Sequence, residues 1–228
     1  MRKAWISAAL SLAILVPAAA AAPDAKRTGE GFFLAVSGQP VAFRGDFDGR
    51  LVLWHFDKAF FVPALNRATA LGFGLGFKRK AWLWEILYVS SRHPSAFEDR
   101  PGTAFYRSVE IDGRTFLVKD FPAKPYILVG IGVPWLRVDP GAELNGTASR
   151  ASYIGLGLNL GLGMIIEITP ALFVSGGGLV RAAGFYYVSG EGKGRDISDL
   201  SVGQGGNPWK SWLKTSSLSW TLGLGLVF

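Results

Sequence analysis

The chain contains no cysteine, only two histidines and two methionines, and just 18% charged residues. Without cysteine there is no disulfide framework, no thiolate metal site and no thiol nucleophile. His55 and His93 have no H-x-x-x-H or H-E-x-x-H spacing, so no transition-metal site is expected. Carboxylates such as Asp46 and Asp48 lack the longer oxygen array of a calcium loop and read as a polar turn. No G-x-G-x-x-G opens a helix, so no nucleotide cofactor is implied. Past the leader there is no apolar run of 18 residues, and hence no transmembrane helix.

What is present is hydrophobicity combined with glycine. The 228 residues are 49% hydrophobic and include 30 Gly, 16 Phe, 8 Trp and 6 Tyr. This excludes intrinsic disorder and suits a single domain. Glycine weakens helix and strand interiors by roughly 0.5–1 kcal/mol, so its abundance needs a reason.

Residues 1–21 read as a secretory leader. Arg2 and Lys3 precede an apolar Ala4–Val16, and Ala19 and Ala21 satisfy an A-x-A cleavage pattern. Loss of Arg2 and Lys3 takes the formal net charge from +7 to +5. The remaining excess is dispersed, with no basic run longer than Lys78–Lys80, so nucleic acid is not an expected partner. The triplet Asn145–Thr147 matches a glycosylation acceptor but reads as incidental.

The period along residues 22–228 is two. Ile154, Leu156, Leu158, Leu160, Leu162 and Met164 alternate with Tyr153, Gly155, Gly157, Asn159, Gly161 and Gly163. Residues 68–77, 126–135 and 218–228 repeat the pattern. A soluble amphipathic strand would carry polar residues on its second face. Here that face is small, which suits a narrow closed barrel with large apolar residues toward lipid and glycine toward a crowded lumen. The expected fold is all-β, a transmembrane antiparallel up-and-down barrel of eight strands, with ten as the alternative. The strands fall near 30–38, 65–77, 81–92, 104–119, 125–136, 152–166, 170–188 and 214–228. Short connections (78–80, 120–124, 167–169) alternate with long ones (39–64, 93–103, 137–151, 189–213), as periplasmic turns alternate with external loops. Trp82, Trp84, Tyr88, Trp135, Tyr186, Tyr187 and Trp220 are placed to form aromatic girdles.

Trp220, Leu222, Leu224, Leu226 and the terminal Phe228 look like the C-terminal signal read by the outer-membrane barrel assembly machinery. Residues 124–132 look like a fifth strand entered from a short turn, and 155–175, with the Thr169–Pro170 turn, like a sixth and seventh. On these features the chain resembles the small outer-membrane β-barrel superfamily, that of outer membrane proteins A, X and W. The resemblance implies the cell outer membrane as location, outer-membrane lipid and the assembly machinery as partners, and a monomer. One departure is the apolar segment 51–62 inside the first long connection. It reads as an external hairpin, a lipid-lying helix, a plug, or the two strands that would make ten.

Charged residues facing mid-membrane lipid cost about 2–4 kcal/mol for Arg and less for Glu. Glu85 and Arg181 share faces with residues opposite the large apolar ones, so both are expected inside. With Asn159 they are the candidate interior polar network. The function expected is non-enzymatic, a barrel displaying external loops. The first alternative is a narrow channel or lateral path for small apolar molecules. The second is a lipid-modifying enzyme using His55 or His93, both expected in external loops, with Ser90, Ser91, Asp57 or Asp99.

Overall fold

The computed structural model describes residues 29–47, 51–54, 58–61, 63–97, 100–144, 147–190, 193–196 and 213–228. The leader (1–21), His55, Asp57 and Asp99 lie outside the described residues. Eight long strands build the barrel: β1 (Gly31–Gly45), β2 (Ala68–Lys78), β3 (Trp82–Phe97), β4 (Arg100–Phe116), β5 (Ala123–Leu144), β6 (Thr147–Thr169), β7 (Leu172–Gly190) and β8 (Leu213–Val227). Each pairs antiparallel with its neighbour in sequence, and β8 pairs back onto β1 from Phe33↔Val227 to Gly45↔Thr215. The sheet is therefore closed. The described residues contain no helix.

The period-two pattern is resolved as expected. Leu156, Leu158, Leu160 and Leu162 point outward, with Leu162 at 66% exposure, while Asn159 between them is 2% exposed. The same alternation puts Phe73, Leu75, Ile111, Ile131, Leu218, Trp220 and Leu222 outside. A water-facing surface of this composition would be a large continuous apolar patch. In a bilayer it is the required lipid face, and closure satisfies the backbone groups that lipid cannot. The fold is a membrane-spanning β-barrel of the outer-membrane type.

The two barrel ends differ. At one end β2–β3, β4–β5 and β6–β7 are joined by short connections, and both chain ends of the barrel lie there. There the Lys80 ammonium beside Asp120 holds that carboxyl below its usual range, and Asp120 in turn raises the ammonium. Both groups are well exposed, so the pair adds little stability. At the other end the strands run far past the apolar belt. β5 has 22 residues and β6 has 23, against about 9–11 needed to cross a membrane.

This corrects two expected loops. Residues 93–103 and 137–151 are largely strand. Their ladders continue because the inward alternation continues: Leu136, Val138, Ala151 and Tyr153 stay buried while Arg137, Asp139 and Arg150 face out. Above the membrane the outward face meets water, so charged residues there do not end the strand. Within segment 51–62 the described residues pair as a hairpin, Leu51–Trp54 with Lys58–Phe61, in a sheet separate from the barrel. The barrel therefore has eight strands, not ten. The hairpin's second strand approaches β5, on the far side of the mouth from β1.

A closed sheet without edges resists detergent unfolding. Unheated protein is expected to migrate differently from boiled protein on a denaturing gel. Identical migration would contradict the closed barrel.

Candidate functional site

The lumen is filled in layers, and the order of residues along each strand shows why. From the turn end upward, β3 presents Leu83, Glu85 and Leu87 inward; β4 presents Phe116, Arg114, Asp112, Glu110, Ser108 and Tyr106. β6 presents Ile165, then glycines and Asn159, then Tyr153; β7 presents Phe173, Leu179, Arg181 and Phe185. On every such strand, polar or glycine positions separate two apolar groups. The lower apolar layer contains Phe33, Phe116, Tyr126, Ile165, Phe173 and Val227. The upper one contains Val41, Tyr106, Leu136, Val138, Tyr153 and Phe185.

Between them lies a belt of buried charge. Arg181 clamps Glu110 bidentately, Nε to Oε1 at 2.8 Å and Nη2 to Oε2 at 2.9 Å. Its Nη1 donates to Gln39 Oε1 at 2.8 Å and Ser219 Oγ at 3.2 Å. The Ser219 hydroxyl passes its own hydrogen to the Leu179 carbonyl. The Asn159 amide spends both hydrogens on carboxylates, Glu110 Oε2 at 3.0 Å and Asp112 Oδ1 at 2.8 Å. Since both partners only accept, its nitrogen must face them. Glu85 accepts from Arg114 Nη2 at 2.6 Å, and that guanidinium lies 5.3 Å over the Tyr126 ring.

Glycine makes room for these acids. A Cβ at Gly74 would fall on the Glu85 carboxylate, and one at Gly130 on that of Asp112. The belt leaves a cavity of about 20 Å³ bordered by Ser37, Gln39, Asp112, Arg114, Arg181 and Thr221. That is room for about one water. Gln39 Nε2, Asp112 Oδ2 and Arg114 Nε have no protein partner, and all three residues border this space. One water can accept from the two donors and donate to the aspartate.

Different contacts stand toward the two ends of the lumen. At the turn end one Glu167 oxygen accepts from Lys78 Nζ at 2.5 Å and Lys124 Nζ at 2.8 Å, and Lys78 also donates to the Gly29 carbonyl. At the other end Phe47, beyond β1, packs edge-on to Tyr153 and Phe185 with centroids 5.3 Å away in each case.

Glu85, Asn159 and Arg181 therefore all face the lumen, but Glu85 and Arg181 are not partners. Each finds its counter-ion on β4, Arg114 for Glu85 and Glu110 for Arg181. The signal was there: Ser108, Glu110, Asp112 and Arg114 alternate with Val109 and Ile111. Of the C-terminal residues, Trp220, Leu222 and Phe228 are exposed on the outer face, with Leu224 and Leu226 half-buried beside them.

His93 is corrected from loop to strand. It is fully buried inside β3. The Asn66 carbonyl, 2.8 Å from Nδ1, can only accept, so Nδ1 carries a hydrogen; Nε2 lies 2.8 Å from Ser91 Oγ. A hydroxyl beside an imidazole is the start of a nucleophile geometry, but here the third position is a carbonyl, not a carboxylate. Both side chains face the packed lumen, and the Phe43 ring lies 5.0 Å from the imidazole. Ser90 sits on the opposite face of the strand. Among the described residues no cluster of His, Asp and Glu could hold a metal ion.

No family model and no curated protein matches the chain. Solved structures do. Neisserial surface protein A has a TM-score of 0.50 at 12% identity, over 87% of this chain and 97% of its own. A major outer membrane protein from Thermus thermophilus has 0.45 at 13%, over 87% and 100%. Ail, the attachment invasion locus protein of Yersinia pestis, has 0.40 at 15%, over 87% and 99%. The likeness to Neisserial surface protein A establishes the fold.

Removing one partner of a buried ion pair costs about 3–5 kcal/mol, because the other charge is stranded. Arg181→Ala is expected to lose about that much in urea unfolding of the barrel refolded into lipid vesicles. Arg181→Met combined with Glu110→Leu should recover most of it. An Arg181→Ala barrel as stable as the parent would show that the pair is not structural.

Proposed function

We propose that the chain is a non-enzymatic barrel of the cell outer membrane that serves as a rigid support for its extended outer end. The observation that carries this is the contrast between a lumen that holds two apolar layers and a charged belt and strands β5 and β6 of 22 and 23 residues. The lumen supplies rigidity and the extra strand length supplies display. Short turns face the periplasm in such barrels, so the long end faces the exterior. Glu85, Asn159, Arg181 and the β4 charges hold the wall in register from within. The barrel is delivered by the assembly machinery, which reads Trp220 to Phe228, and works as a monomer in outer-membrane lipid.

A channel for small apolar molecules would need a path through two apolar layers and a charged belt whose cavity beside Arg181 measures about 20 Å³. An enzyme working on outer-leaflet lipid through His93 would need that side chain turned outward, and it faces in.

Two measurements test the reading. In planar bilayers the purified protein should give no stepwise conductance; regular steps would favour the channel. An epitope inserted after Gly146 should keep the gel shift and be bound by its antibody on intact cells. Binding only after the outer membrane is permeabilised would overturn the display reading.

A further inference from the structure

The lipid-facing side of the barrel carries a second feature that the packed lumen does not explain. Reading outward-facing partners across β3, β4, β5 and β6 gives rows around the wall. Ile86, Ile111, Ile131 and Leu158 form one apolar row, and Tyr88, Val109, Val133 and Leu156 form the next toward the long end. Above it, Ser90, Arg107, Trp135 and Ile154 follow, then Arg92, Phe105, Arg137 and Ser152. Asp139 and Arg150 sit one row further out. Within two rows the wall changes from aliphatic to arginine-rich.

Among the described residues Arg150 is paired with an acid, Asp139, its Nε and Nη2 lying 3.0 and 2.9 Å from Oδ2. Arg92 is stacked on Phe105, 5.4 Å from the ring centroid. Arg107 and Arg137 flank Phe105 and Trp135 in the register and share the border of a groove of about 520 Å³ with Asp139 and Arg150. The groove opens beside the row of Tyr88, Val109 and Val133, where acyl chains must lie if the barrel spans a bilayer. Its occupant therefore has apolar chains below and anionic groups above, at one fixed height.

We infer that Arg107 and Arg137, framed by Phe105 and Trp135, form a binding site for a phosphate-bearing lipid of the outer leaflet. Guanidinium forks match phosphate oxygens bidentately, and aromatic faces hold both the guanidinium and the top of the acyl region. Asp139 restrains Arg150 at the upper edge, leaving Arg107 and Arg137 to meet the phosphates. The site is independent of what the displayed end binds.

The test is native mass spectrometry of the full chain purified from outer membranes in detergent. The probes are diphosphoryl lipid A, phosphatidylcholine and inorganic phosphate, each added alone and in competition. The parent protein should retain lipid A in preference to phosphatidylcholine, and millimolar phosphate should not displace it. Arg107→Gln with Arg137→Gln should weaken lipid A retention roughly tenfold or more, with the gel shift intact. Arg79→Gln, at the turn end, should leave it unchanged. If the double variant loses its gel shift, Arg137→Lys, which keeps the charge but not the fork, must still weaken retention. Equal retention by parent and variants, equal loss in Arg79→Gln, or displacement by free phosphate would each overturn the lipid site.

Discussion

Closure is the constraint on which the rest of this protein depends. Inside a bilayer an unpaired backbone amide has no water to turn to, so each strand must be bonded on both sides. The pairing of β8 with β1 completes that circle. Once the circle is closed, alternate side chains have only two destinations, lipid or lumen. Large apolar residues and charged residues sort themselves accordingly, and a strand slipped by one residue would exchange the two faces.

The lumen of an eight-stranded barrel is just wide enough to be filled by side chains. In this one the filling is stratified rather than uniform. Apolar layers above and below enclose the belt of Glu85, Glu110, Asp112, Arg114, Asn159 and Arg181. In such surroundings a lone charge is expensive, and each member of the belt is tolerable only because another member answers it. Gly74 and Gly130 belong to the same device, since without their missing side chains Glu85 and Asp112 would not fit. These glycines leave room for a larger inward side chain on the adjacent strand, as do Gly163 beside Tyr126 and Gly225 beside Phe173.

On the outside the physics is reversed. The wall carries aliphatic residues where chains of lipid surround it and arginines where the bilayer gives way to water. The change from Val109 and Val133 to Arg107 and Arg137 is complete within two rows of the ladder. The strands continue without interruption through that boundary, because their inward residues still have an apolar layer to pack against.

Fold class, strand number and face assignment were legible in the sequence, because they follow from a period of two and from which residue sizes share a face. Glu85, Asn159 and Arg181 were likewise assigned to the interior by the cost of charge in lipid. Their partners were not. Alternation says that Arg181 points inward but not which acid across the lumen meets it; that depends on stagger between strands β4 and β7, 71 residues apart in the chain at the Arg181–Glu110 contact. Strand ends are hidden in the sequence for a related reason. Arg137 looks like the start of a loop when read along the chain, yet its neighbours Leu136 and Val138 are buried and keep the ladder going. His93, next to Arg92, reads as a loop residue on the same ground. The surroundings each residue could tolerate, whether lipid, water or a crowded interior, were written in the chain, because tolerance is a property of the side chain. Which residues became neighbours was settled by the folded barrel, because closure and stagger bring together side chains that no local pattern links.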